Sequence, residues 1–207
     1  MQMPTPMNTK AMDISEKIRS AALGLFIRKG ISGTTTKDIA RKAGVSEGSI
    51  YNYFESKEDL AYKLFVRYMD MFRDELSETA SSSGNPVEKL SAAVRAFFGF
   101  AEQEPDAYAY IMIGHYTELR KMPPDKKKPM DIFVAIIGEG VRDGVFRGME
   151  EKLGAAYVIG MVTRAILFYK SGMLDTPYAA LIEKTMSSSL RVLGFNNGQH
   201  PAGTAER

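Results

Sequence analysis

The chain has 207 residues, 44% of them hydrophobic and 25% charged, with a net charge of +2 and no cysteine. That balance excludes disordered and collagen-like chains, and the length suffices to bury a core without covalent staples. The absence of cysteine removes disulfides, thiolate zinc sites and cysteine nucleophiles, and fits a reducing compartment.

The charge is unevenly spread. Residues 1–57 hold nine Lys or Arg against five acids, and the remaining 150 hold 18 bases and 20 acids, so the positive end is N-terminal. The first residues, MQMPTPMNTK, contain no apolar signal-peptide region. The apolar run LGAAYVIGMVTRAILFY, 153–169, is short for a spanning segment and contains Arg164. It is read as a buried helix of a soluble, cytoplasmic protein.

Helical periodicity runs along the chain. Ile14, Ile18, Ala21, Ala22, Leu25 and Phe26 form one apolar stripe, with Asp13 as a candidate cap, Glu16 three residues on, and Gly30 as terminator. TTTKDIARKAG then gives a short helix capped near Thr35, with Ile39, Ala40 and Ala43 inward. Ser46 caps a third helix, and Ser56 with Asp59 caps a fourth reaching about residue 79. Beyond the turn-rich SSSGNP, further helices are expected at 87–103, 105–121, 130–143, 150–171 and 176–193. No segment alternates like a strand, so the fold class is all-α. Residues 1–10 and 195–207 read as flexible tails.

The segment around Gly44 has the requirements of a helix-turn-helix. Ala40 is small where the two helices would cross, Gly44 tolerates positive φ in the turn, and Ile50 packs back onto the first helix, with Val45 and Phe54 completing the core. GTTTKDIARKAGVSEGSIYNYFESKEDL, 33–60, resembles the DNA-binding region of the TetR family of bacterial transcriptional regulators. The shared pattern is a Thr-rich start, I-A-x-x-A-G-V-S, G-x-x-Y-x-[HY]-F and K-[ED]-x-L. The specific match covers about residues 14–65.

The resemblance implies an all-α chain with a three-helix DNA-binding domain at 11–56 and a helical ligand-binding and dimerisation domain at 57–194. It implies that Tyr51 and Tyr53 put hydroxyls on backbone phosphates, that Thr36 offers hydroxyl and amide at a helix start, and that Lys57 clamps a phosphate, with Lys37 and Arg41 adding positive field. Base reading falls to Ser46, Glu47, Gly48 and Asn52. Glu47 can accept from cytosine N4, and Asn52 can pair with adenine N6 and N7. Many relatives carry a base such as Arg at the position of Asn52, or Lys at that of Glu47, where this chain has neither.

A small apolar or aromatic effector is the expected second ligand, with Phe65, Tyr68, Phe98, Tyr108, Met112, His115, Tyr116 and Arg164 as candidate lining. His115 is expected to point inward among apolar neighbours. The same residues could equally close-pack as plain core. A homodimer is expected through the last two helices, where Ala156 and Gly160 permit close approach and Tyr178, Leu181, Ile182, Thr185, Met186, Ser189 and Leu193 form a stripe. That stripe fits an interface or the chain's own core. His200 lies in the tail and offers His115 no partner, so no metal, cofactor or catalytic residue is expected. The expectation is thus a homodimeric repressor that is not an enzyme, binds a near-palindromic operator in double-stranded DNA, and is released by an effector. The alternative is a DNA-binding regulator with a filled core and no inducer.

Overall fold

The computed structural model describes residues 6–81, 84–115, 117–147 and 149–195, and for residues 6–13 the backbone alone. Every regular element among them is helical: α1 (Pro6–Lys29), α2 (Thr36–Ala43), α3 (Glu47–Tyr51), α4 (Lys57–Ser81), α5 (Pro86–Gln103), α6 (Pro105–Gly114), α7 (Pro129–Arg142), α8 (Glu151–Lys170) and α9 (Tyr178–Val192), with a 3₁₀ turn at Leu119–Lys121. They form two compact units, one of residues 1–71 and 101–126, the other of 72–100 and 127–207. The division falls inside α4 and α5. Both helices run unbroken through the points where the units part, so no linker marks the division.

In the first unit, α1 and α6 pack together, as do α1 and α2 and α2 and α3. Ile18, Ala22 and Phe26 of α1 are buried with Ile39, Ala40, Ile50, Phe54, Leu64 and Phe65. Removing the larger of these from water contributes about 1.5–3 kcal/mol each, which compensates for the short length of α2 and α3. Tyr110 stacks on Phe26 with centroids 6.0 Å apart, and its hydroxyl donates to the Ala61 carbonyl at 2.8 Å. The first helix starts at Pro6, so Asp13 is an interior position of α1 and not its cap. Glu16 accepts from Arg67 of α4 at 2.7 Å instead. That hydrogen bond is the main reason the Glu16 carboxyl stays below its ordinary value.

The expected helix over 105–121 ends at Gly114, which the Thr117 and Glu118 amides both use as acceptor. A Cβ at Gly114 would lie 2.7 Å from the Phe65 ring, so the absent side chain makes room for that aromatic. In the second unit, Phe72 meets Phe97 edge-on at 4.7 Å and Phe100 in a stack at 4.6 Å. Against α7 and α9, α8 buries Gly154, Ala155, Val158, Val162 and Ile166. Its other face is open, with Leu153, Tyr157, Leu167 and Phe168 each at least 44% exposed. The expectation of a wholly buried helix at 153–169 therefore fails on one face. By length and composition alone, α8 could also cross a membrane.

Candidate nucleic-acid interface

The unit is set by its caps. Thr35 and Asp38 form a reciprocal capping box at the start of α2, with the Asp38 amide donating to Thr35 Oγ1 at 3.1 Å. Hydrogen bonds with the Thr35 side chain and backbone hold the Asp38 carboxyl below its ordinary value, helped by Lys29 and Arg41. Gly44 closes α2 at φ 69°, ψ 35°, the left-handed conformation its position in the turn requires. Ser46 then caps α3 by accepting from the Ser49 amide at 3.2 Å. Ala40 at the crossing is 4% exposed and Ile50 is fully buried. Phe54 is buried as well, with the Arg19 guanidinium 5.4 Å from its ring centroid. Val45 and Ala43 are only half-buried at the rim.

This packing leaves one face of α2 and α3 to solvent. Tyr51 is 54% exposed, and Lys37, Ser46, Glu47, Gly48 and Asn52 are exposed beside it. Thr36 and Tyr53 are half-buried. A Cβ at Gly48 would meet only Ser46 Oγ, at 4.0 Å, so the surface there is open to close approach. Two tyrosine hydroxyls, a helix N-terminus and exposed Lys37 give donors suited to phosphates, and Asn52 adds an amide suited to a base edge.

Three of the expected residues already hold partners within the chain. Lys57 donates its ammonium to the Thr34 carbonyl at 2.8 Å, and its side chain is only 17% exposed. It ties the start of α4 to the loop before α2, because the carbonyl lies within reach of a side chain entering from the helix end. The Ser46 hydroxyl is occupied by its own helix cap and by Ser49 Oγ at 2.7 Å. The Thr36 hydroxyl donates to the Glu47 carboxylate, a contact between α2 and α3 that neither helix reveals alone.

The effector candidates are divided between the units. In the first, Phe65 and Tyr108 are buried while Tyr68 and Met112 are half-buried. Burial pushes the Tyr108 phenol up to about 12, and raises that of Tyr68. Tyr68 meets Tyr110 edge-on at 6.4 Å; Tyr110 was not among the expected residues, although its apolar neighbours Ile111 and Ala107 signal burial. His115 is exposed, contrary to the inward position expected, although its backbone at the end of α6 is still helical (φ −55°, ψ −41°). Tyr116 lies outside the described residues.

In the second unit, Phe98 is buried, its carbonyl accepting from the Tyr178 hydroxyl at 2.8 Å. Arg164 is exposed on the open face of α8 rather than lining an interior. A shallow apolar depression of about 370 Å³ is lined by Asn85, Val87, Glu88, Val145 and Phe195, none of them an effector candidate. Among the described residues, no His, Asp or Glu cluster could hold a metal ion.

Comparison with known proteins follows the same lines. Residues 18–63 match the family described as bacterial regulatory proteins, tetR family. The chain is 26% identical over 164 residues to the HTH-type transcriptional repressor KstR2 of Mycolicibacterium smegmatis, covering 76% of this chain and 80% of that one. It is 30% identical over 194 residues to the HTH-type transcriptional regulator BetI of Rhizobium meliloti, covering 88% and 91%. A crystal structure of a tetR-family regulatory protein from Rhodococcus RHA1 superposes with a TM-score of 0.75 at 22% identity, covering 89% of this chain and 98% of that one. The chain belongs to the TetR family of bacterial regulatory proteins and is a DNA-binding transcriptional regulator, not an enzyme.

Proposed function

We propose that the protein is a cytoplasmic, homodimeric repressor that binds a near-palindromic operator and is released by a small apolar or aromatic molecule. The observation that carries the DNA half is the open face of Lys37, Gly48, Tyr51 and Asn52 over a buried Ala40–Ile50–Phe54 core. A helix so presented enters the major groove, and two copies reach half-sites one turn of DNA, about 34 Å, apart. Repression is supported by the name of the repressor relative.

The dimer is supported by the open face of α8. Leu153, Tyr157, Leu167 and Phe168 lie at helical spacing around the exposed Ala156 and around Gly160, and a Cβ added at Gly160 would meet nothing within 4 Å. A second copy of the helix can approach closely there. The stripe expected on α9 has another use: Leu181, Thr185, Met186, Ser189 and Leu193 are buried within their own unit. Release by an effector is supported by the aromatic setting of Phe65, Tyr68, Tyr108 and Met112. An effector preferring a conformation with differently spaced reading heads lowers DNA affinity, and DNA lowers effector affinity by the same factor.

The test is selection of bound sequences from random duplex DNA, followed by footprinting. Two protected half-sites with twofold character are expected, lost on adding the effector found in a subsequent screen. A single asymmetric contact patch contradicts the dimer. A clean operator that no small molecule releases supports the regulator without an inducer.

A further inference from the structure

The Thr36–Glu47 contact joins two residues that the DNA reading sends to different places. Thr36 opens α2, where the free amides and the positive end of the helix favour an anion and the hydroxyl can donate to it. Glu47 opens α3 and is exposed on the same open face. In the free protein the Thr36 hydroxyl donates to that carboxylate. An anion from the protein's own recognition helix thus occupies the donor that a DNA phosphate would use.

We propose that Glu47 determines specificity by competition: its carboxylate holds the phosphate position at Thr36 in the free protein and leaves it for a base when the operator is bound. This rests on the DNA-contact reading of Thr36 above. One hydroxyl proton cannot serve a carboxylate and a phosphate together, and two anions on one helix start repel. On arbitrary DNA, a phosphate must displace Glu47 and leave the carboxylate without a donor. On an operator that brings a cytosine N4 amino group within reach of α3, Glu47 exchanges one donor for another. Both sites lose the same contact, and only the operator replaces it. Glu47 therefore weakens non-specific binding more than specific binding and widens the ratio between them.

The experiment is a double-mutant cycle, with the full chain titrated against the selected operator and a scrambled duplex at several salt concentrations. The proteins are wild type, Glu47→Ala, Thr36→Val and the double variant, with thermal melting to confirm that each folds. Glu47→Ala is expected to tighten binding to the scrambled duplex by about tenfold and to lower the specific-to-non-specific ratio. Removing any negative charge near DNA does some of this, so the decisive readout is coupling. With Thr36→Val in place, the tightening should shrink to about threefold or less. Equal tightening in both backgrounds, or none in either, overturns the proposal. In the Glu47→Ala background, Thr36→Val should weaken binding. No change there overturns the phosphate contact of Thr36 itself, and the competition with it.

Discussion

Among the side chains, the two cations beside the reading face differ in setting: Lys37 is exposed, whereas Lys57 is only 17% exposed and already hydrogen-bonded. Lys57 begins a helix beside the reading face, yet its ammonium is held by the Thr34 carbonyl 23 residues away in sequence. Lys57→Met is expected to lower stability by about 1–2 kcal/mol, since a charged donor to a part-buried carbonyl is lost. The salt slope of DNA binding should stay at the wild-type value, whereas Lys37→Ala should reduce it by about 0.9. Parallel melts and salt titrations of the two variants measure this. Sequence could name Lys57 and Glu47 as polar residues at the right place but not show what they hold, because their partners come from other elements, the loop before α2 and α2 itself. Tyr108 carries a pH prediction. Its phenol is raised by burial from 10.0 to about 12, so the folded state favours the protonated form. The stability this represents is intact below pH 10 and is lost as pH rises from about 10 towards 12. Chemical denaturation of Tyr108→Phe across that range should show a shallower decline than wild type.

The helices were legible where short-range chemistry ends them. The cap at Thr35, the left-handed turn at Gly44 and the small Ala40 are all local requirements, and each lies where the residue type says it should. The break after Gly114 was not legible. Tyr108, Ile111, Met112, His115 and Leu119 continue a helical period through it, and the Phe65 ring of α4 that Gly114 makes room for leaves no mark on the local sequence. Gly114→Ala would place a Cβ 2.7 Å from Phe65. Thermal or urea unfolding should show a loss of about 1–3 kcal/mol despite the better helix former, as expected of overpacking. A stability gain would mean that the Phe65 ring yields freely.

For the molecule as a whole, the proposed dimer is argued from α8, the part of the expected two-helix interface whose apolar face is open. Sequence showed an apolar stripe on α9 and the close-approach pair Ala156 and Gly160 on α8, and periodicity alone cannot say which face an intramolecular neighbour covers. The stripe on α9 is covered within its unit, and that of α8 around Tyr157 and Leu167 is not. Leu167→Arg, which sets a like charge against its symmetry copy, should convert dimer to monomer in sedimentation at micromolar concentration while leaving the helical spectrum intact. An unchanged dimer would place the interface elsewhere. DNA binding by this chain rests on the face built by α2 and α3. The most direct measurement of it is the affinity of Tyr51→Phe for the selected operator, beside wild type, at several salt concentrations. The variant removes one exposed hydroxyl and nothing from the core. The account predicts roughly tenfold weaker binding with folding unchanged, the loss of one hydrogen bond to a charged phosphate. Wild-type affinity in the variant would contradict it, and would mean that this face is not the one that meets DNA.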